Sequence, residues 1–240
     1  MNIPDDVAAS VADLRREVSA LHAELVRYGL VVWTAGNVSA RVPGADLMVI
    51  KPSGIPYEDL TPGTMVVTDL EGRPVDGTMR PSSDTAAHAY VYRQMPAVRG
   101  VVHTHSTYAT AWAARGEPVP CVLTALADEF GGEIPVGPFA LIGDDTIGRG
   151  IVGTLRSSRS PAVLMRNHGV FTVGSSARDA VKAAVMCEDV ARTVHAARQL
   201  GEPLTIPRAD LDALYRRYQN VYGQDRRSAP DPTDPEGRRP

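Results

Sequence analysis

The run Arg99-Gly-Val-Val-His-Thr-His-Ser-Thr commits the middle of this chain to a β-strand. Val101 and Val102 are β-branched and Gly100 bounds the run, a pattern that favours extended backbone. Successive side chains on a strand alternate between faces, so His103 and His105 point the same way. Two imidazoles projecting together from a rigid strand form half of a divalent-metal site, because neutral histidine nitrogen is a favoured ligand of zinc and its neighbours. An isolated His-x-His also fits one packed core histidine beside one exposed histidine, and the pair alone leaves both readings open.

The chain holds six histidines: His22, His88, His103, His105, His168 and His195. His168 follows Ala162-Val-Leu-Met-Arg-Asn, where a strand-like apolar run ends at a polar residue beside Gly169. That placement suits a ligand reaching into a cleft, and it equally suits a turn histidine. His22 and His195 fall in long helical patterns and read as surface or packing residues. His88 follows Asp84 by four residues on an expected helix, so it either braces that carboxylate or sits on the helix face.

Length and composition narrow the class. The 240 residues, 43% of them hydrophobic, predict one large globular domain over residues 1–224. A net charge of −3 and a pI of about 6.1, with no basic block, favour neither nucleic acid nor an anionic membrane surface. Met1-Asn-Ile-Pro-Asp-Asp does not resemble a signal peptide. No apolar run approaches the roughly 20 residues that span a bilayer. Cys121 and Cys187 are too few for a disulfide scaffold, and the expected compartment is the cytoplasm. From Asp225 onward, prolines and Arg226-Arg227 without large apolar residues predict a disordered tail over 225–240.

Apolar positions Val11, Leu14, Val18, Leu21 and Leu25 recur at helical spacing over 7–29. Asn37-Val-Ser-Ala-Arg-Val and Leu47-Met-Val-Ile-Lys read as a hairpin, and a second one turns at Glu71-Gly72. Helices are expected over 83–95, 107–115, 144–156, 176–200 and about 208–219, with strands at 99–105 and before His168 and a strand or loop from Pro135. Helices with a hairpin-rich sheet predict α/β/α layers around a largely antiparallel sheet, rather than a parallel nucleotide-binding one.

Three short polar loops carry further chemistry. Pro81-Ser82-Ser83-Asp84-Thr85 opens the helix at 83–95, presenting hydroxyls and backbone N–H groups where the helix dipole favours an anion. Lys51-Pro-Ser53-Gly54 supplies a cation, a hydroxyl and a flexible glycine, and Gly36-Asn37-Val38-Ser39 is the third. The three could surround one phosphate. A carboxylate such as Asp84 beside an anion site makes sense if a cation intervenes, and Asp84 with His103, His105 and His168 supplies the pieces of a His₃-carboxylate centre.

Ala35-Gly-Asn-Val-Ser, Lys51-Pro-Ser-Gly, Pro81-Ser-Ser-Asp-Thr, His103-Thr-His-Ser and Asn167-His-Gly occur in the order of the class II aldolase/adducin family. The resemblance spans about residues 10–224 and is nearest to the L-ribulose-5-phosphate 4-epimerase branch. It implies an α/β/α sandwich assembled as a homotetramer with active sites at subunit interfaces. It also implies a divalent metal, Zn2+ first with Mn2+ or Co2+ as alternatives, on His103, His105 and His168 with Asp84 beside it. Phosphate binding is implied for Asn37, Lys51, Ser53, Gly54, Ser82 and Ser83. The segment around Asp128 resembles one carrying an acid/base aspartate, and Val221-Tyr222-Gly223-Gln224 one whose tyrosine enters a neighbour's site. Leu126 and Thr107-Tyr108 depart from the epimerase pattern and remove polar groups expected near the substrate.

The implied activity is metal-dependent epimerisation of a pentulose phosphate such as L-ribulose 5-phosphate, by cleavage and re-formation of the C3–C4 bond. Inversion needs proton carriers on both faces, the roles given to Asp128 and Tyr222. The alternative is a class II aldolase cleaving a ketose 1-phosphate, and a third is a related dehydratase or decarboxylase. Two rivals come from other classes. A non-haem iron triad of Asp84, His103 and His105 leaves His168 and the serine loops unused. A non-catalytic scaffold like the adducin heads predicts lost ligands, whereas all four are present.

Overall fold

Apolar runs in the first half of the chain pair as hairpins. In the computed structural model, which describes residues 5–221, Asn37–Arg41 (β1) and Leu47–Ile50 (β2) are antiparallel across Pro43-Gly44-Ala45-Asp46. Val66–Asp69 (β3) and Pro74–Asp76 (β4) form the second hairpin. Gly100–Thr104 (β5) then pairs antiparallel with β1 and so becomes an interior strand. Val136–Gly137 (β6), Ala162–Met165 (β7) and Gly169–Gly174 (β8) complete the order β4-β3-β2-β1-β5-β8-β7-β6. Within that sheet the β6–β7 pairing is parallel and the other pairings are antiparallel.

Seven helices among the described residues cover the sheet: Asp5–Arg27 (α1), Thr85–Gln94 (α2), Thr107–Arg115 (α3), Thr124–Phe130 (α4), Thr146–Leu155 (α5), Ala177–Leu200 (α6) and Arg208–Val221 (α7). Side-chain alternation divides the core into two layers. Met48, Ile50, Val101, Phe171 and Val173 face α2 and α5. Val38, Val49 and Val102 face α1 and α6, and α3 and α4 continue that layer over Leu164 and Val170. The architecture is the expected α/β/α sandwich with a mostly antiparallel sheet. No helix among the described residues is long and apolar enough to cross a membrane.

Differences from the sequence reading are local. The strand expected to run to His105 ends at Thr104. The helix expected from Ser83 begins at Thr85, with Asp84 at its N-cap position. Neither α4 nor β8 was anticipated. The first has only seven residues, too few for two turns of periodicity, and the second follows β7 so closely that the two runs read as one. The tail 225–240 and Tyr222 lie outside the described residues.

Gly100 sets how closely α6 approaches the sheet. A Cβ there would lie 2.3 Å from the Ser176 carbonyl oxygen and 2.4 Å from the Ala177 Cα. Both obstacles are backbone, so relief requires moving the helix start. Gly100→Ala is expected to destabilise the chain by about 3 kcal/mol, measured by urea unfolding. Gly153→Ala, on α5 with nothing within 4 Å of the added Cβ, should instead stabilise by about 0.5–1 kcal/mol through helix propensity.

Candidate active site

His103 occupies the penultimate position of β5 and His105 follows one residue beyond its end, and the two rings turn to the same side as alternation requires. Their Nε2 atoms are 2.9 Å apart. His168 comes from the turn between β7 and β8, where Asn167 takes φ +58°, a left-handed conformation that Asn tolerates better than most residues. Gly169 lets this turn close on β5, since a Cβ there would lie 2.6 Å from the Thr104 carbonyl oxygen and 2.8 Å from the His105 ring. The three histidines offer nitrogen atoms that all lie within 4.8 Å of one another.

The chemistry of this donor set fits a divalent metal. His103 Nδ1 lies 2.9 Å from the Val170 carbonyl oxygen. The carbonyl can only accept, so the proton sits on Nδ1 and the Nε2 lone pair faces the other histidines. His168 Nδ1 is buried without a hydrogen-bond partner. Burial holds all three rings below the usual histidine pKa, His103 at about 3, which is the neutral state a ligand requires.

Asp84 and Asn37 form the next layer. The β1–β5 register sets Asn37 opposite His103. The Asn37 Nδ2 amide donates to Asp84 Oδ2 at 2.7 Å and to Ser82 Oγ at 3.0 Å, which uses both of its hydrogens. Burial pushes the Asp84 carboxyl up, but His103, His88 and the Asn37 amide outweigh it and hold the group below its ordinary value as a carboxylate. Ser82 Oγ also accepts from the Asp84 N–H at 3.3 Å, so its own hydroxyl proton remains to donate.

A cavity of about 250 Å³ opens over this cluster, and Asn37, Lys51, Ser53, Gly54, Ser82, Ser83 and Asp84 line it with the three histidines. The three polar loops therefore do converge on one space. Lys51 enters differently from a free cation. It is 2% exposed, and its ammonium donates to the carbonyls of Thr34, Pro52 and Ile55 at 3.1–3.3 Å. Burial lowers its pKa. The Ser53 and Ser82 N–H groups donate to the Arg80 and Lys51 carbonyls, so these two residues bring hydroxyls to the cavity rather than amides. Sequence reasoning did not single out Ile142 at the mouth, nor Tyr57, whose hydroxyl lies 2.8 Å from the Ala35 carbonyl oxygen.

Asp128 is not among the cavity residues. It sits on α4 with Oδ2 3.6 Å from Arg217 of α7 and Oδ1 buried without a partner. Leu126 is fully buried in the core beside Phe130 and Ile134. Tyr108 is the second residue of α3, with its N–H donated to Glu188 and its ring against His195. The expected loss of polar groups beside the substrate at Leu126 and Thr107-Tyr108 is thus a change outside this cavity's lining.

His22, which reads as a surface or packing residue, packs in the interior, and His88, which reads as bracing Asp84 or sitting on the helix face, is buried as well. His22 Nδ1 donates to the Val18 carbonyl at 2.6 Å, and its Nε2 accepts the Val38 N–H at 3.0 Å, tying α1 to β1. His88 Nδ1 lies 2.7 Å from Ser39 Oγ, which lies 2.8 Å from the Tyr92 hydroxyl. The spacing of His22 from Val18, one helical turn along the apolar stripe, was the available signal.

Class II Aldolase and Adducin N-terminal domain is the family whose pattern matches, over residues 16–195. The chain belongs to this family. A solved L-fuculose 1-phosphate aldolase is 27% identical, with TM-score 0.81 over 90% of this chain and 100% of its own. YgbL from Klebsiella pneumoniae is 29% identical with TM-score 0.75, covering 85% of this chain and 99% of its own. An aldolase II superfamily protein from Pseudomonas syringae shares the fold at 21% identity and TM-score 0.78, covering 90% and 88%.

Buried neutral histidines make this class II aldolase fold acid-sensitive. Burial lowers His22 to about 3 and His88 to about 4, while the unfolded chain protonates both near 6.5. Their contribution to stability is complete above pH 6.5 and is lost as pH falls toward the folded values. In metal-free protein these two alone should give a slope of about 2.7 kcal/mol per pH unit near pH 5. His88→Gln should remove about half of that slope in urea titrations at pH 4.5–6.5.

Proposed function

We propose that the chain is a metal-dependent enzyme that cleaves a carbon–carbon bond of a phosphorylated ketose in a retro-aldol step. The observation that carries this reading is one cavity in which a three-histidine cluster adjoins a carboxylate that Asn37 ties to a serine loop. His103, His105 and His168 would hold the metal, with Asp84 beside them. When bound, a divalent cation, Zn2+ first and Mn2+ or Co2+ as alternatives, polarises the ketose carbonyl and stabilises the charge that cleavage develops.

The chain's own residues do the rest. Asp84 is the only carboxylate among the described residues lining the cavity. Asn37 occupies Oδ2, leaving Oδ1 to take the hydroxyl proton whose loss starts cleavage. The hydroxyls of Ser53, Ser82 and Ser83 donate to the phosphate beside Gly54. Lys51 adds positive charge behind the loop while its protons hold the loop carbonyls out of the anion's way. Tethering the phosphate keeps the fragment at high effective concentration.

Binding and cleavage are served within one chain, so a class II aldolase acting on a ketose 1-phosphate is our first reading. Similarity to L-fuculose 1-phosphate aldolase supports it. A 4-epimerase acting on L-ribulose 5-phosphate or a related pentulose phosphate is the second reading, favoured by the Asp128 segment and Tyr222. It requires both groups to reach a site across a subunit interface, in a homotetramer.

Metal-loaded protein incubated with several ketose 1-phosphates and with L-ribulose 5-phosphate decides between them. The first reading expects dihydroxyacetone phosphate and an aldehyde; inversion of the pentulose phosphate without release establishes the second. His168→Ala should abolish metal binding and turnover in a folded chain, and elemental analysis showing wild-type metal content would sink the centre. The Ser82→Ala, Ser83→Ala double variant should raise KM for the phosphorylated substrate without displacing metal. If inversion is the activity, Asp128→Asn and Tyr222→Phe should each lower it about 10²–10⁴-fold, and light scattering should show a tetramer.

A further inference from the structure

Phe171 lies directly across the sheet from His103, the two being paired Cα partners in the β5–β8 register. Their rings stack at a centroid separation of 4.1 Å and an interplanar angle of 13°. Phe171 is fully buried, and the edge of a second histidine meets it, with His168 at 5.7 Å and 68°. The residue before it supplies the carbonyl that takes the His103 Nδ1 proton.

We propose that Phe171 is a positioning residue for the histidine centre: its ring fixes the plane of His103 and so sets how tightly the three histidines hold a divalent cation. The inference rests on the reading of those histidines as metal ligands. The Val170 carbonyl constrains one ring atom of His103 and selects the tautomer. It leaves rotation of the ring about that contact open. A flat aromatic face at stacking distance closes that freedom, because any tilt of the imidazole drives its edge into the phenyl ring. The same ring limits the swing of His168, so the angle between these two ligands, 59° between ring planes, is held from beneath by one side chain. An aliphatic residue fills part of the volume and presents no plane.

The test measures Zn2+ affinity by competition with a chromophoric chelator, in wild type, Phe171→Leu and Phe171→Met. Supporting groups around metal ligands typically contribute 10–100-fold to affinity, and we expect a loss in that range for both variants. Val173→Ala is the control, since it truncates a buried residue of the same strand and core layer that stands opposite Val101, not a histidine, in the β5–β8 register. It should destabilise folding and leave Zn2+ affinity within about twofold of wild type. The Co2+-loaded variants at Phe171 should also show shifted visible absorption, which a purely structural loss would not produce. Zn2+ affinity unchanged in both Phe171 variants overturns the proposal, as does an equal loss in Val173→Ala. Wild type that binds no Zn2+ overturns the metal centre itself, and the role of Phe171 with it.

Discussion

The register of β1 against β5 is the constraint on which the site depends. It sets Asn37 opposite His103, and from that pairing the Asn37 amide reaches the Asp84 carboxylate and the Ser82 hydroxyl. The side-chain period of a strand is two, so a slip of one residue would turn His103 toward α1 and α6 and send Val102 to the cavity side. The slip is blocked energetically on both faces. Val38, Val49 and Val102 are buried under one helix layer and Val101, Phe171 and Val173 under the other, each large side chain being worth roughly 1.5–3 kcal/mol of burial. The geometry of the candidate site is thus specified by hydrophobic packing on both faces of the sheet.

Polar groups enter this core as a column. Asp84 at the N-cap of α2, and His88 and Tyr92 within it, recur every four residues and line up on one side of the helix. On β1, Asn37 and Ser39 are two apart and share one strand face. The faces meet, with Asn37 bonded to Asp84 and Ser39 between His88 and Tyr92. Each rung satisfies groups that would be costly to bury alone, at about 1–3 kcal/mol apiece. The satisfaction is incomplete near the cavity, where Asn37 Oδ1, His88 Nε2 and His168 Nδ1 are buried without a partner.

Much of this was legible in the sequence because it is periodic or punctuated. His103 and His105 share a face through strand alternation, the hairpins carry turn residues, and the three polar loops are short segments between apolar runs. Other features leave no local trace. Lys51 reads as a free cation, yet its donors meet carbonyls from Thr34 to Ile55, a closure that tertiary packing decides. The seven residues of α4 are too short to print a period, so Asp128 was placed by resemblance alone. Gly100 and Gly169 are read as turn or strand-end glycines, while their actual service is to let α6 and the His168 turn approach the sheet.

Proton accounting separates the two catalytic readings more sharply than likeness does. Cleavage needs one base near the reacting carbons, and the cavity holds one carboxylate, Asp84, among its described lining residues. Inversion needs a proton taken from one face and returned to the other, so it needs two carriers that do not share a wall. Asp84 stands at the N-cap of α2 and lines the cavity, and an inversion that used it for one proton would need a second carrier for the other. Ile142 also lines the cavity and moves no proton. Asp128, the other carboxylate in question, lies on α4 with Oδ2 3.6 Å from Arg217 and is not among the cavity residues. In the proposed readings, an epimerase would complete its site with groups from a neighbouring copy, so assembly and inversion would be lost together, whereas an aldolase would take its base and metal ligands, Asp84 and the three histidines, from the single chain.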